Sequence, residues 1–191
     1  MDSDIVSRSK SIQVSRRNFL KKSAVLMGGA IITQSELLAS RGETKTIHLH
    51  NIHQNKTYNA NFYERDAYRL RGLFEVNKAF VDHRAHEMTR IDVGLINLLY
   101  EINLEVGLDK NFNIISGYRS EKTNANLAKK MRGVAKDSYH MQGKAVDIYM
   151  PNVRLSKIKD IAVGLKKGGV GYYPKSNFIH LDVGPVRRWG S

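Results

Sequence analysis

The sequence predicts an α+β fold in which helices pack on one side of a small antiparallel β-sheet. Stretches in which apolar residues recur every three or four positions come mostly before stretches in which they alternate, the order typical of an α+β domain. The chain also has 191 residues, of which 41% are hydrophobic, and this is enough to bury a core within one domain.

Local patterns predict each element in turn. Alternating apolar residues indicate strands, and helical spacing of apolar residues indicates helices. In chain order, the patterns predict strand 44–50, strand 57–63, helix 66–84, helix 92–106, strand 113–116, helix 120–133, strand 145–150, helix 156–167, strand 169–173 and strand 177–183. Asp92 and Ser120 are suitable N-caps for their helices, and Gly107 is a suitable stop.

Residues 1–40 have the features of a twin-arginine export signal. Residues 15–21 read Ser-Arg-Arg-Asn-Phe-Leu-Lys, and a mildly apolar stretch follows over residues 24–32. This stretch is shorter than the roughly 20 apolar residues that a transmembrane helix needs. We therefore expect export to the periplasm of one folded domain over residues 41–191. Stable membrane insertion is expected only if the leader stays uncleaved.

The charge and cysteine content narrow the possible partners. The net charge is +13, and residues 1–39 carry six basic and three acidic side chains, so the remainder keeps a net charge of +10. A basic domain favours an anionic partner such as nucleic acid, a membrane surface or an acidic polymer. Nucleic acid is not expected, because no nucleic-acid motif is present and export removes that partner. The absence of cysteine excludes disulfides and thiolate metal sites.

Two histidines and one aspartate form a candidate zinc site. Strand alternation places Asp147 opposite the apolar face of its strand, and it places His180 and Asp182 together on the non-core face of the last strand. If the two strands are neighbours, Asp147 and His180 meet, and His140 can reach them from the loop that ends at Gly143. Three such ligands leave one position of a zinc ion open for water, which is typical of catalytic sites. The alternative is that each is an ordinary surface or core residue.

A motif in this region resembles a known family. Ser138, His140, Gly143, Ala145 and Asp147 form the pattern Ser-x-His-x-x-Gly-x-Ala-x-Asp, which is similar to the first zinc motif of the D-Ala-D-Ala metallopeptidase superfamily. That group includes VanX-like dipeptidases and the hedgehog signalling domain. Within it, the chain resembles exported murein endopeptidases of the YcbK (MepK) type. The similarity includes residues 49–53, 115–120, 132–136, 168–174 and 178–185.

The resemblance implies a hedgehog/D-Ala-D-Ala-peptidase-like fold and a periplasmic zinc peptidase. It implies that one zinc ion is held by His140, Asp147 and His180, and that Arg119 lies near the substrate. The implied reaction is cleavage of peptide cross-links in peptidoglycan, with the peptide stems as partner. The basic net charge suits a polymer that is rich in carboxylates.

The chain departs from the superfamily at the expected general base. Many members have Glu or Asp three residues before the last histidine, where this chain has Asn177, which cannot accept a proton at neutral pH. Asp182 is the nearest carboxylate on the face of His180. We expect it to act as the general base, and the alternative is that it orients His180 through a hydrogen bond. Arg119 is expected to stabilise the developing oxyanion or bind a substrate carboxylate, unless it is an ordinary loop residue.

Two other functions remain open from the sequence. The same zinc site would serve a carboxypeptidase or dipeptidase acting on free stem ends, since only the shape of the cleft separates these activities. A module that binds murein without cutting it is the alternative that Asn177 keeps open. The other five histidines, at positions 48, 50, 53, 83 and 86, are expected to be structural.

Overall fold

A computed structural model describes residues 43–107, 109–130 and 134–190. The predicted export signal lies outside the described residues, and so does the predicted helix end at residues 132–133. The strands are β1 (Thr44–Asn51), β2 (Lys56–Glu64), β3 (Ala67–Tyr68), β4 (Asn111–Ser116), β5 (Ala145–Tyr149), β6 (Gly169–Tyr173), β7 (Phe178–Asp182) and β8 (Arg187–Trp189). The helices are α1 (Leu70–Ala79), α2 (Val93–Val106), α3 (Glu121–Lys130) and α4 (Leu155–Leu165), with 3-10 turns at Tyr139–Gln142 and Pro174–Ser176.

All eight strands belong to one sheet in the order β3-β2-β1-β4-β5-β7-β6-β8. Most neighbours are antiparallel, as predicted, and the α+β class is confirmed. The sheet is larger than the sequence indicated, and two of its strand pairs, β1 with β4 and β6 with β8, are parallel. The unpredicted strands β3 and β8 lie at its two edges and have only two and three residues.

The helix predicted over residues 66–84 is shorter than expected and turns a different face inward. It spans only Leu70–Ala79, because β3 pairs with β2 immediately before it. Leu70 and Phe74 are among the apolar residues whose helical spacing predicts this helix, but they are 84% and 50% exposed. The buried positions are instead Gly72, Val76 and Ala79, since this face lies against β2.

Helix ends elsewhere follow the predicted signals. The Asp92 carboxylate accepts a hydrogen bond from the backbone N–H of Gly94 at 2.7 Å, and Gly107 has a positive φ of 112° where α2 stops. Ser120 Oγ accepts from the Thr123 N–H in the first turn of α3. Helix α4 ends earlier than predicted, at Leu165, because Lys166 takes the left-handed conformation with φ of 53°.

The core lies between one face of the sheet and helices α1, α2 and α4. Helix α1 packs on β2, α2 packs on β1 and on α4, and α4 packs on β6 and β7. The inward residues of β5 and β7, among them Val146, Ile148, Ile179 and Leu181, have no exposed surface. Their neighbours along the strands therefore face away from this core. No helix within the described ranges combines the length and the apolar character needed to cross a membrane.

A substitution at Gly72 would test how closely α1 packs on the sheet. A Cβ at this position would overlap the Asn61 carbonyl and would lie 2.7 Å from the Phe62 Cα. We expect Gly72→Ala to lower the free energy of unfolding by about 1–3 kcal/mol, because the helix must move outward. The matched control is Gly164→Ala on α4, where no atom lies within 4 Å of the added Cβ.

The control should raise the stability by about 0.5–1 kcal/mol, since alanine is the better helix former. Urea denaturation of both variants measures the difference. Equal stability of the two would contradict the close packing of α1 on β2.

Candidate metal centre and its cleft

The pairing of β5 with β7 brings Asp147 and His180 together. The two strands are antiparallel neighbours, and Asp147 is directly opposite His180 in the register. Side chains opposite each other share one face of the sheet, here the face away from the helical core. Asp147 Oδ1 lies 2.8 Å from His180 Nδ1. The predicted meeting of these two residues is therefore confirmed.

His140 reaches the pair from the 3-10 turn that precedes β5. Ser138 begins this turn, and its hydroxyl accepts from the His140 N–H at 3.3 Å. Gly143 ends it with φ of 66°, and a Cβ there would lie 2.6 Å from the Arg90 carbonyl oxygen, so the position requires glycine. The His140 Nε2 lies 3.2 Å from His180 Nδ1 and 3.4 Å from Asp147 Oδ1.

The outer hydrogen bonds of the two histidines fix which ring nitrogens face inward without a proton. His140 Nδ1 lies 2.7 Å from the Gly117 carbonyl oxygen, which can only accept, so Nδ1 carries the hydrogen. His180 Nε2 lies 3.0 Å from Asp182 Oδ2 and donates to that carboxylate. In their neutral forms, both rings therefore direct a lone pair toward the other and toward Asp147.

This arrangement fits a cation. One donor atom from each of His140, Asp147 and His180 lies within 4.8 Å of the other two. Three electron-rich atoms that converge in a largely buried place repel one another unless a positive charge lies between them. Two neutral imidazoles and one carboxylate are ligands that suit zinc. The residues present therefore fit the ion that the sequence predicted.

The pKa shifts of Asp147, His140 and His180 arise from their burial and from their contacts with one another. Burial alone would raise the pKa of Asp147, but the charges and hydrogen bonds of His140 and His180 hold it well below its usual range. Burial lowers the pKa of His140. For His180, burial would also lower the pKa, but the hydrogen bonds to Asp147 and Asp182 outweigh it and raise the pKa.

Arg119 lies beside the three residues. Its guanidinium donates to Asp147 Oδ2 at 2.6 Å and to Ser116 Oγ at 2.8 Å. The side chain is 15% exposed and lines the same cleft as His140 and His180. It is therefore placed to hold the oxygen of Asp147 that does not face the histidines.

Asp182 lies behind His180 and has no exposed surface. Besides His180 Nε2, its carboxylate accepts from the backbone N–H groups of Gly169 and Gly184 at 3.2 and 2.8 Å. Arg187 donates to both of its oxygens, at 3.0 and 2.8 Å. Burial would raise the pKa of Asp182, but these hydrogen bonds lower it to about 2. Of the two expected roles, this placement favours orienting His180, because the carboxylate contacts the ring nitrogen that faces away from Asp147.

Arg187, which follows β7 by five residues along the chain, is a site residue that was not predicted from the sequence. Its guanidinium also lies 5.4 Å from the Tyr139 ring centroid and 4.9 Å from that of Trp189. No strand or helix periodicity links it to His180, so the only signal was the cluster of basic residues near the C-terminus.

Asn177 is an exposed residue of the turn between β6 and β7. It follows the 3-10 turn Pro174–Ser176 and has a positive φ of 52°. Asparagine adopts this conformation more readily than most residues do. The geometry of the turn thus provides a structural reason for asparagine at this position.

The metal centre lies in a cleft that crosses the sheet. The lining includes Ile115 and Ser116 of β4, Asp147 of β5, Phe178 and His180 of β7, Tyr173 of β6 and Trp189 of β8. Leu127 of α3 also lines the cleft, together with residues 134–135 and 137–139. Of the five histidines expected to be structural, His53 also lines the cleft. His48 and His50 instead bond to Asn59 and Thr57 on β2.

Asp82 anchors the loop beside the cleft and gives the domain an acid-sensitive contact. It is 2% exposed, and one oxygen accepts from both the N–H and the hydroxyl of Ser120, each at 2.9 Å. Burial would raise the pKa of Asp82, but hydrogen bonds from the Thr123 side chain, from Ser120 and from the Arg84 backbone N–H lower it from 3.8 to about 2. Because the folded-state pKa lies below the unfolded value, the contribution is present above about pH 4 and is lost as the pH falls toward 2.

We expect Asp82 to contribute about 2 kcal/mol to the free energy of unfolding near neutral pH. Chemical denaturation of the wild type and of Asp82→Asn, from pH 7 down to pH 2.5, measures this. The stability difference between the two proteins should shrink below pH 4. A difference that stays constant over the range would contradict the prediction.

Comparisons with known proteins agree on one family. The family model described as peptidoglycan L,D-endopeptidase MepK matches residues 39–189. Peptidoglycan L,D-endopeptidase MepK of Escherichia coli (strain K12) is 39% identical over 175 residues, which cover 91% of this chain and 96% of that protein. A probable peptidoglycan L,D-endopeptidase MepK of Haemophilus influenzae is 35% identical over 180 residues, or 93% and 97% of the two chains. No solved structure matches the chain at a significant level.

Proposed function

The chain belongs to the family of the peptidoglycan L,D-endopeptidase MepK, and from this premise we propose how its cleft performs the reaction. It is a zinc-dependent metallopeptidase that cleaves peptide cross-links in peptidoglycan. The observation that carries the proposed mechanism is the convergence of His140, Asp147 and His180 on the wall of a solvent-accessible cleft. One zinc ion held by these three residues is the proposed cofactor.

Zinc, when bound, lowers the pKa of its water and polarises the scissile carbonyl. The surrounding residues of the protein orient the three proposed ligands. Gly117 and Asp182 hold the proton-bearing nitrogens of His140 and His180, so that the opposite nitrogens face Asp147. The carboxylate of Asp147 is in turn held by Arg119. Each of the three ligands thus has an outer partner that fixes its orientation.

Arg119 has a second role in this proposal. Its Nε and one terminal nitrogen bond to Ser116 and Asp147, and the other terminal nitrogen makes no hydrogen bond with any described residue. That nitrogen is available to the carbonyl oxygen of the substrate, where negative charge develops in the transition state. Asp182 is proposed as the residue that orients His180, in place of the general-base role expected first.

Digestion of purified sacculi by the zinc-loaded chain tests the function. Mass spectrometry should show loss of cross-linked peptide dimers and the appearance of monomers, and the fragments should identify the bond that is cut. Release of terminal residues alone, with dimers left intact, would indicate the carboxypeptidase alternative. Unchanged products from a folded, zinc-occupied protein would leave a module that only binds murein.

We also propose a periplasmic location reached by the twin-arginine route. The support is the Ser-Arg-Arg-Asn-Phe-Leu-Lys pattern of residues 15–21 and the short apolar stretch after it. Replacing Arg16 and Arg17 together by lysine should keep the protein in the cytoplasmic fraction. Export of this variant at the wild-type level would refute the route while leaving the enzymatic function in place.

A further inference from the structure

Among the residues that the structure describes, three arginines line the cleft, and two of these three have a carboxylate partner. Arg119 is paired with Asp147, and Arg187 is paired with Asp182. Arg84 is exposed and lines the same cleft, but it makes no side-chain hydrogen bond or ion pair with any described residue. A guanidinium is a planar fork of donors that matches a carboxylate. Arg84 is thus the cleft arginine that is left for an external group.

The backbone below Arg84 is fixed. The buried carboxylate of Asp82 accepts from the N–H groups of Arg84 and Ala85 at 3.0 and 3.3 Å. The other oxygen of Asp82 holds Ser120, the residue after Arg119. The buried carboxylate of Asp82 therefore connects the loop that contains Arg84 to the segment that contains Arg119. The backbone positions of these two arginines are thus fixed relative to each other.

The two ends of the cleft differ in chemistry. Because the strand order runs β4-β5-β7-β6-β8, the cleft has an end at β4 and an end at β8, about 19 Å apart at the usual strand spacing. His53 binds the Ile115 carbonyl oxygen of β4, and its ring stacks on His83 at 3.6 Å. The β8 end has Trp189 and the stacked pair of Tyr173 and Phe178. Arg84 and a stacked histidine pair thus mark the β4 end, whereas the β8 end has aromatic rings and an arginine, Arg187, that is already paired with Asp182.

The positive charge at the β4 end acts on its neighbours. Burial and then the charges of His53 and Arg84 lower the pKa of His83 to about 4, although Asp82 opposes this. Asp137, the other carboxylate besides Asp147 among the described lining residues, is exposed and has no ion pair with Arg84. The described residues therefore leave the charge of Arg84 without a direct partner.

We propose that Arg84 forms a subsite at the β4 end of the cleft that binds a free carboxylate of the peptide stem. This inference rests on the proposed function, because it assumes that a peptidoglycan stem enters the cleft. The subsite orients the stem across the sheet, with its carboxylate at β4 and the scissile bond over Asp147 and His180. Arg84 acts as a specificity residue that recognises charge.

Binding of a soluble stem peptide without a cross-link tests the subsite apart from catalysis. Calorimetric titration would compare this peptide with the same peptide after amidation of its carboxylates, using the zinc-loaded wild type and Arg84→Gln. The control is Arg154→Gln, an exposed arginine outside the cleft that loses the same charge. The wild type and the control should prefer the carboxylate form by about tenfold to a hundredfold, the value of a charge-assisted hydrogen bond.

Arg84→Gln should lose this preference and bind the amidated peptide as the wild type does. With a cleavable cross-linked peptide, KM should rise and kcat should stay within about twofold. An unchanged preference in Arg84→Gln, or equal weakening of both peptides, would overturn the subsite. Absence of cleavage by the wild type, with the binding preference intact, would refute the endopeptidase function and leave the subsite standing.

Discussion

Replacing His180 by alanine is expected to abolish zinc binding and cross-link cleavage. His180 supplies one of three converging donor atoms, and its Nδ1 lies within 3.2 Å of the other two. Without it, two ligands remain, and these hold zinc weakly. Cleavage of cross-linked peptides should fall by at least about a thousandfold, because the ion supplies several kcal/mol of transition-state stabilisation. Zinc content after dialysis and mass spectrometry of digested sacculi measure the two effects.

The matched control is His50→Ala. His50 lies on β1, bonds only to the hydroxyl of Thr57 among the described residues and does not line the cleft. It should bind zinc and cleave as the wild type does, and circular dichroism should show that both variants are folded. Full zinc occupancy in folded His180→Ala would show that the metal is held elsewhere and would refute the proposed ligand set.

Asp182→Asn is expected to weaken zinc binding about tenfold to a hundredfold and to leave much of the activity recoverable by added zinc. The carboxylate accepts from His180, Arg187 and two backbone N–H groups, so an amide would place a donor against other donors. His180 then loses its fixed orientation. If Asp182 instead takes the proton of the attacking water, kcat should stay about a hundredfold to ten-thousandfold low even at saturating zinc. Zinc titration of the cleavage rate separates the two roles.

Variants of two adjacent arginines provide the control for Asp182. Arg187→Gln removes the bidentate partner of Asp182 and should weaken zinc binding in the same direction by a smaller factor. Arg188→Gln removes an equal charge from the next residue, which forms no hydrogen bond or ion pair with Asp182 within the described part of the chain, and it should change neither zinc binding nor the cleavage rate. A similar effect of both variants on zinc binding would mean that overall charge, and not the orientation of His180, is responsible.

Strand alternation could place Asp147 and His180 on the sheet face away from the core because it is a local property, whereas His140 was expected to reach them from a loop. Asp147 and His180 each interrupt an apolar alternation, so their face could be read from the chain. The sequence did not show that the two strands are neighbours in the sheet, since a helix and a further strand separate them along the chain. In the structure, β5 and β7 are neighbours, and their register places Asp147 opposite His180.

The prediction of buried residues, edge strands and site contacts was less successful where these depend on contacts between distant parts of the chain. Leu70 and Phe74 have the helical spacing expected of core residues, but they are exposed because α1 packs on β2 with Gly72, Val76 and Ala79 buried. The edge strands are too short to give an alternation signal. Strand alternation located Asp182 on the face of His180 but could not reveal Arg187, whose bond to Asp182 depends on how the chain turns after β7.

The two short edge strands also bear on how the protein behaves at high concentration. An exposed edge offers unpaired N–H and C=O groups to another chain, and long flat edges start aggregation. Here the sheet ends in two residues on one side and three on the other, and the three-residue edge begins with Arg187 and Arg188. The short, charged β8 edge gives a second copy little backbone to pair with, so this end of the sheet is protected from adding strands. At the other end, β3 pairs only with Tyr63 and Glu64 of β2, so it covers just the last part of that longer strand.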